Sequence, residues 1–293
     1  MVSDKYMAGF LDSDGCIAFQ WKQGKYRPLL QVIFSQKMTQ DRPVEMIHKQ
    51  EGGYLYYNEI NARKYTQLTF TGDKGVSFLN RLRKHLVIKR SYAEACLDIA
   101  ERKKVVNLKL AKQYLKERRK MPSLPIPNFP SRKWLAGYID GDGCLYSRIG
   151  YKGSCQINLG IACSWFDVEG IQLIQKSFGG SIRTMSQGNR VQQLIIGLPP
   201  SKALSMLSYF AKHLLIKRDQ AYFVMGCARI GHYRNGKGIH AGLKQLKARE
   251  HRLSETDASI DDLLLAVRDE KNEDYIYRSY KRQSSIVELV EGY

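Results

Sequence analysis

The sequence predicts an α+β fold built from two similar halves. The segment MAGFLDSDG at 7–15 returns in altered form as LAGYIDGDG at 135–143, 128 positions later. The segment KHLVIKR at 84–90 returns as KHLLIKR at 212–218 with the same spacing. Between these segments, apolar and polar residues alternate in both halves, a pattern typical of half-buried strands. A period of this length is too long for a solenoid and indicates a duplicated domain.

Each nine-residue segment predicts a short helix with an unusually small face. Gly9 and Ser13 in the first copy, and Gly137 and Gly141 in the second, lie four residues apart and share one side of a helix. A glycine inside a helix is unfavourable by roughly 1 kcal/mol relative to alanine. We therefore expect the two helices to pack on each other through these residues, with serines as N-caps at positions 3 and 131.

Both copies end in Asp-x-Asp-Gly, so packing of the two helices brings Asp14 close to Asp142. Carboxylates at helix C-termini face an unfavourable dipole, and two that converge repel each other. A cation between or beside them would offset this repulsion. A single copy would be explained as well by an ordinary packed helix with a glycine C-cap, but two copies in register favour a functional site.

The pattern after each motif predicts a hairpin, a helix, a second hairpin and a helical region. The second hairpins follow the Gly-Gly pairs and are expected at 54–70 and 181–196. Helices are expected at 76–86, 92–120, 203–214 and 219–230.

The chain divides into a first repeat at 1–120, a Pro-rich linker at 121–130, a second repeat at 131–227 and a C-terminal extension at 228–293. The extension predicts a loop at 231–242, a basic helix at 243–253 and an amphipathic helix at 260–267. Its role stays open, since it could lengthen a nucleic-acid contact, pack on the second repeat or serve an RNA partner.

The charge distribution points to a polyanionic partner. The 293 residues carry a formal net charge of +19 and the pI is about 9.6. Residues 255–293 hold ten acidic and five basic residues, so residues 1–254 carry +24. The six cysteines form no CxxC pair, so neither a zinc ribbon nor a redox motif is supported. No signal peptide or long apolar run is found, which predicts a protein of a reducing compartment without a membrane partner.

The polar faces of the predicted strands are rich in side chains that read base edges in a major groove. Acidic residues are scarce on these faces, although the chain holds 28 of them. An ordinary solvent-exposed sheet face is the alternative explanation. The candidate DNA-binding residues are Gln20, Lys22, Arg27, Gln31, Arg148, Gln156, Asn158, Arg183 and Gln193.

The two motifs, together with the matching downstream repeats, resemble those of a LAGLIDADG homing endonuclease in its single-chain, two-motif form. The resemblance covers residues 1 to about 227. It implies two αββαββα domains related by a pseudo-twofold axis through the motif helices. It also implies saddle-shaped antiparallel sheets over double-stranded DNA, and a monomer that cuts a long, pseudo-palindromic target.

The resemblance also implies roles for individual residues. The eighth motif position supplies the metal-binding carboxylates Asp14 and Asp142, while the sixth position, Asp12 and Asp140, supports the helix end. The family's catalytic lysines fall on Lys89 and Lys217, and its strand-end glutamine falls on Gln36. The second half departs from this pattern, because the equivalent of Gln36 is Cys163 or Ser164. We therefore expect the two DNA strands to be cut at unequal rates.

The chemistry of these side chains fits phosphodiester hydrolysis. Hard carboxylate oxygens suit Mg²⁺ or a similar divalent cation such as Mn²⁺, and Ca²⁺ is expected to bind without supporting cleavage. The lysines would offset developing negative charge or polarise the water, with plain phosphate contact as the alternative.

Two other functions stay open: an intron-encoded RNA maturase, and a regulator that binds DNA without cutting it. The expected location is an organelle that encodes the protein, such as a mitochondrion or chloroplast, or a microbial cytoplasm.

Overall fold

The computed structural model describes residues 1–21, 28–60, 62–101, 108–121, 123, 126–149, 155–164, 167–185, 191–230, 235–250 and 259–268. The first half contains α1 (Asp4–Asp12), β1 (Gly15–Gln20), β2 (Leu29–Lys37), α2 (Arg42–Glu51), β3 (Tyr54–Ile60), β4 (Arg63–Thr71), α3 (Gly72–Leu82), α4 (Arg90–Glu101) and α5 (Leu108–Arg118). The second half contains α6 (Arg132–Asp142), β5 (Gly143–Ile149), β6 (Cys155–Ser164), α7 (Val168–Phe178), β7 (Ser181–Met185), β8 (Val191–Gly197), α8 (Pro200–Phe210), α9 (Arg218–Arg229), α10 (Gly236–Glu250) and α11 (Ile260–Arg268).

The two halves share one topology. Each holds a four-stranded antiparallel sheet, in the order β1-β2-β4-β3 in the first half and β5-β6-β8-β7 in the second. Each sheet begins directly after a motif helix and is followed by a helix, α3 or α8, that ends in a short 3₁₀ turn. The predicted α+β class with two repeated domains is confirmed.

Strand alternation decides which side of each sheet is buried. Val32 and Phe34 on β2, and Leu159 and Ile161 on β6, point inward and are fully buried. Residues between them point to the opposite face, because successive side chains of a strand alternate. Each sheet thus packs its apolar face against the helices and leaves a polar face outside.

One helical expectation is met in the described residues and another is corrected in part. The helical region expected over 92–120 contains α4 and α5, and the residues between them lie outside the described part of the chain. The loop predicted at 231–242 is wrong over 236–242, because α10 begins at Gly236, and residues 231–234 lie outside the described part of the chain. Asn235 accepts a hydrogen bond from the backbone of Gly238 at 2.8 Å and caps the helix, which offsets the low helix propensity of its two early glycines.

The C-terminal extension packs on the second half. Ile239, Leu243 and Leu246 of α10 are buried, and His240 lies within hydrogen-bonding distance of Ser147 on β5, at 3.1 Å. Leu263 of α11 is also buried. Helices α5 and α10 begin 128 residues apart, so they are equivalent in chain order.

The linker is tied to the first half through Ser123, whose hydroxyl donates to the Ile88 carbonyl at 2.6 Å and accepts from the Ser91 amide at 3.0 Å. Among the described residues, no helix combines the length and apolar character needed to cross a membrane.

Candidate active site between the motif helices

The motif helices α1 and α6 pack at backbone-contact distance. A Cβ placed on Gly9 would lie 2.0 Å from the Trp134 carbonyl oxygen, and one on Gly137 would lie 2.1 Å from that of Tyr6. A Cβ on Gly141 would lie 2.1 Å from the Ser13 hydroxyl. No side chain fits at these three positions without moving a helix, which explains why the sequence places glycine there. The predicted packing through small residues is confirmed.

Asp12 holds the end of α1 against two other segments. It is buried, and its carboxylate accepts hydrogen bonds from the Val87 and Lys89 amides at 2.7 and 2.8 Å. It also accepts from the indole nitrogen of Trp134 on α6 at 2.9 Å. Burial raises the pKa of this carboxyl, although these bonds and Lys89 oppose the shift.

Asp140 makes the equivalent contacts in the second half. Its carboxylate accepts from the Leu215 and Lys217 amides at 2.6 and 3.0 Å and from the Tyr6 hydroxyl at 2.7 Å. Tyr6 and Trp134 are themselves 128 positions apart, so each motif helix donates to the aspartate of the other. These crossed bonds fix the relative orientation of α1 and α6, a stronger role than the support of one helix end.

The predicted catalytic lysines lie at the helix ends, with their ammonium groups directed at backbone carbonyls. Lys89 Nζ donates to the carbonyls of Leu11, Asp12, Ser13 and Gly15 at 2.7–3.0 Å. Lys217 is buried, and its Nζ donates to the Asp140 carbonyl. A cation here opposes the negative end of the helix dipole.

Asp14 and Asp142 meet where the two helices end. Burial is the main cause that raises the pKa of Asp14, and Lys217 and Lys89 oppose it. Burial raises the pKa of Asp142 to about 7, and the nearby Asp14 carboxylate is the second cause. The two carboxylates are therefore close enough to repel, as the sequence predicts.

Gln36 distinguishes the two halves. It is buried at the end of β2, and its amide nitrogen donates to Asp14 Oδ2 at 2.5 Å. Ladder register identifies its counterpart, because Gly15 pairs with Phe34 in the first sheet and Gly143 pairs with Ile161 in the second. Two residues further along each strand are Gln36 and Cys163, so Cys163 rather than Ser164 is the equivalent.

Asp142 has a different environment from Asp14. Burial and the Asp142 charge raise the pKa of the Cys163 thiol to about 12, so this thiol is neutral. Among the residues that the structure describes, none donates a hydrogen bond to the Asp142 carboxylate. Asp167, which accepts from the Ser164 hydroxyl, raises the pKa of Asp142 further. The two carboxylates thus differ in both hydrogen bonding and local charge.

The predicted DNA-binding residues that the structure describes share the outer sheet faces. Gln20 and Gln31 lie opposite the buried set of the first sheet, and Lys22 and Arg27 fall outside the described residues. In the second sheet the register places five of them on the outer face: Arg148, Gln156, Asn158, Arg183 and Gln193.

Further residues on the outer face of the first sheet escaped the sequence argument. Tyr54 and Tyr56 on the edge strand β3 are 60% and 48% exposed, and they pair with Thr69 and Gln67 on β4. Their alternation with Leu55 was the signal available in the sequence.

Comparison with known protein families gives a match for the second half of the chain. The sequence model of one family, described as LAGLIDADG endonuclease, matches residues 135–228. This stretch begins with the second motif, and the first motif has the same geometry in the first half. Residues 135–228 are therefore similar to the LAGLIDADG endonuclease family, and the first half repeats the same motif and sheet topology.

Several solved structures have the same fold, and each aligns with this chain over nearly its whole length. The LAGLIDADG meganuclease I-AabMI, bound to uncleaved DNA, is 15% identical over 84% of this chain and 98% of that chain, with a TM-score of 0.64. I-SmaMI, bound to its uncleaved DNA target in the presence of calcium ions, is 15% identical over 85% of this chain and 98% of that chain, with a TM-score of 0.64. The LAGLIDADG homing endonuclease I-GzeII, in complex with its DNA target, is 14% identical over 93% of this chain and 99% of that chain, with a TM-score of 0.57. A comparison with curated protein sequences gave no significant match.

The donor set at the C-terminal ends of α1 and α6 suits a hard divalent cation. Within the described ranges, no three His, Cys, Asp or Glu side chains cluster in a way that would hold a metal. A cation here would rely on Asp14 and Asp142 together with oxygens that are not protein side chains. Mg²⁺ commonly binds in this way, through one or two carboxylates plus waters and substrate phosphate.

Proposed function

We propose that this protein is a site-specific double-strand DNA endonuclease that hydrolyses phosphodiesters with a divalent metal. The convergence of Asp14 and Asp142 carries the proposal. Two carboxylates held together in a buried place are unfavourable without a cation. The two nearest lysines do not close ion pairs with them, because their ammonium groups are directed at carbonyls.

Asp14 and Asp142 would hold the metal, for which Mg²⁺ is the proposed ion and Mn²⁺ a substitute. A bound divalent cation supplies charge neutralisation at the scissile phosphate and lowers the pKa of a water. The crossed bonds of Asp12 and Asp140 keep both carboxylates in position, and the close helix packing brings them to one place between the two halves.

Lys89 and Lys217 would act mainly through their charge. Both lower the pKa of Asp14 and of Asp142, which favours the ionised carboxylates that bind metal. Their carbonyl contacts also hold the loops that carry these aspartates. We therefore propose electrostatic support for these lysines, with phosphate contact as a further role once DNA is bound.

Gln36 would orient one carboxylate or a water in the first half, where Cys163 cannot do the same in the second. The outer sheet faces would read the DNA, because amide and guanidinium groups match base edges in the major groove. This assignment predicts a monomer that makes unequal contacts with the two halves of its target.

The alternatives are less well supported by the site. A regulator that only binds DNA gains nothing from two buried, mutually repelling carboxylates. An RNA maturase would use basic surface, and no contact described above is specific to RNA.

The proposal is tested by incubating the full chain with Mg²⁺ and a library of randomised DNA, then sequencing the ends produced. The matched control is the Asp14→Asn/Asp142→Asn double variant, which keeps the side-chain size. Enrichment of one long sequence among double-strand ends, absent with the variant, is the expected result. Equal end profiles for both proteins would overturn the proposal.

A further inference from the structure

A second binding site is indicated by a cavity at the other end of the motif helices. The cavity has a volume of about 310 Å³ and lies between the first turn of α1, the 3₁₀ turn after α3, the start of α4 and the end of the linker. Apart from Ser131, the described residues that line it are basic or apolar, and none of these described residues carries a carboxylate.

The cavity is separate from the proposed cleavage site. Lys5 in the first turn of α1 and Ser131 at the N-cap of α6 line it, whereas Asp14 and Asp142 lie at the opposite helix ends. A helix rises 1.5 Å per residue, so the nine residues of α1 separate the two sites by roughly 13 Å. A ligand in the cavity would leave the carboxylates free.

Positive charge surrounds the cavity. The cavity is lined by Lys5, Lys84, Arg90 and His85, and both lysines are exposed. Glu94 pairs with Arg90 at 3.2 Å but does not line the cavity.

The cavity lysines also act on His85. Burial is the main cause that lowers the pKa of His85, and Lys84 and Lys5 lower it further, while Asp4 opposes the shift. Asp4 itself pairs with Arg81 at 3.1 Å, which limits its effect on the cavity. The surplus charge suits an anion.

The opposite wall is apolar and rigid. Ile126, Pro127 and Phe129 of the linker face the cavity, and Phe129 is 47% exposed. Its ring packs against those of Phe178 and Tyr209 at 5.4 and 5.3 Å, so its position is fixed before any ligand arrives. An exposed ring held this way offers a stacking surface to a flat group.

We propose that this cavity binds a nucleoside phosphate, with the phosphate on Lys5, Lys84 and Arg90 and the base against Phe129 and Ile126. Lysine and arginine are the side chains that bind phosphate best, and bases stack on aromatic rings. The volume is at the lower end of the range for small-molecule sites, which suits one nucleotide. The same chemistry is offered by a free nucleotide and by one nucleotide of a single-stranded RNA.

The test is calorimetric titration of the full chain without DNA, using four probes. The probes are adenosine 5′-monophosphate, adenosine, inorganic phosphate and a short single-stranded adenosine RNA, each raised to about 1 mM. The test variant is Lys84→Glu. The matched control is Lys212→Glu, because Lys212 occupies the equivalent 3₁₀ turn of the second half, is also exposed and does not line the cavity.

We expect a phosphate-bearing probe to bind, and Lys84→Glu to weaken it at least about tenfold while Lys212→Glu changes it less than about threefold. Binding of the monophosphate would show that the ligand of the cavity is a free nucleotide. Binding of the RNA without binding of the monophosphate would show that the ligand is single-stranded RNA. Adenosine binding as tightly as the monophosphate, equal losses in both variants, or no binding by any probe would overturn the proposal. Lys84→Glu should leave Mg²⁺-dependent DNA cleavage unchanged, so failure here is distinguishable from failure of the proposed endonuclease activity.

Discussion

Replacing Asp142 with asparagine should stabilise the metal-free protein. The carboxyl is largely buried beside Asp14, and its pKa is raised from 3.8 to about 7. A raised carboxyl pKa means that the folded state binds the proton more tightly than the unfolded state. The contribution of this carboxyl to stability is therefore most favourable below pH 4, and it is lost as the pH rises toward 7. Asparagine resembles the protonated carboxyl and stays neutral at every pH, so the variant does not lose this stability as the pH rises.

The size of the effect follows from the shift. About three pH units at about 1.4 kcal/mol each give an upper value of about 4 kcal/mol at pH 8. At pH 4 the same calculation leaves less than about 1 kcal/mol. Asp142→Asn should thus exceed the wild type in free energy of unfolding by an amount that grows between pH 4 and 7 and levels off above it.

Urea denaturation in EDTA at pH 4, 5, 6, 7 and 8 measures this difference. Asp98→Asn is the matched control, since Asp98 is exposed on α4 and the same change there should have a small, nearly constant effect. Saturating Mg²⁺ should narrow the difference, because it stabilises only the protein that binds it. An asparagine variant that is less stable than the wild type at pH 8, or a difference independent of pH, would refute the reasoning.

Three further predictions concern other parts of the molecule. Gln36→Ala should slow cleavage of one DNA strand more than the other in strand-resolved kinetics on a supercoiled target, which should pass through a nicked intermediate; equal slowing of both strands contradicts the asymmetry. Gly137→Ala should lower the free energy of unfolding by about 3 kcal/mol or more, because its Cβ meets the Tyr6 carbonyl at 2.1 Å. Gly197→Ala is the control in the same denaturation experiment, since its nearest neighbour lies at 3.9 Å. DNA affinity should fall by about 10³ between low and moderate salt if roughly six or more phosphates are contacted, with the same slope after truncation following Arg268; a flat response contradicts a polyanion partner.

The truncation point in the last prediction reflects what packing adds to the sequence. Charge alone would place the cut at residue 254, where the acidic excess begins. The structure buries Leu263, Leu264 and Val267 of α11 in the second half, so that cut would remove part of its core. The net charge of a segment indicates what kind of partner it binds, whereas the burial of its side chains indicates how much it contributes to stability.

The motif helices and the strand faces were predictable because they follow local periodicity. Gly9 and Gly137 mark the helix contact, and alternation separates Val32 and Phe34 from Gln31. Both are properties of a single element, so no tertiary information is needed to derive them.

The details of the site were not predictable from sequence. The family pattern assigns Lys89 to catalysis, yet its ammonium donates to four carbonyls whose positions depend on the end of α1. The choice between Cys163 and Ser164 depends on strand register. The sequence obscures this register, because the Gly-Gly pairs at 52–53 and 179–180 lie 127 positions apart, one fewer than the motifs. The crossed bonds from Tyr6 and Trp134 need the relative orientation of two helices, although their shared spacing of 128 was a visible clue.

The central claim is that Asp14 and Asp142 together form one metal-dependent cleavage site. The most direct measurement compares cleavage and binding of the selected target by the wild type, Asp14→Asn and Asp142→Asn in Mg²⁺. Each single variant should bind the target within about threefold of the wild type and lose double-strand cleavage by at least about 10³-fold, because metal coordination is lost while the helix contact is kept. Wild-type cleavage by either variant would contradict the account.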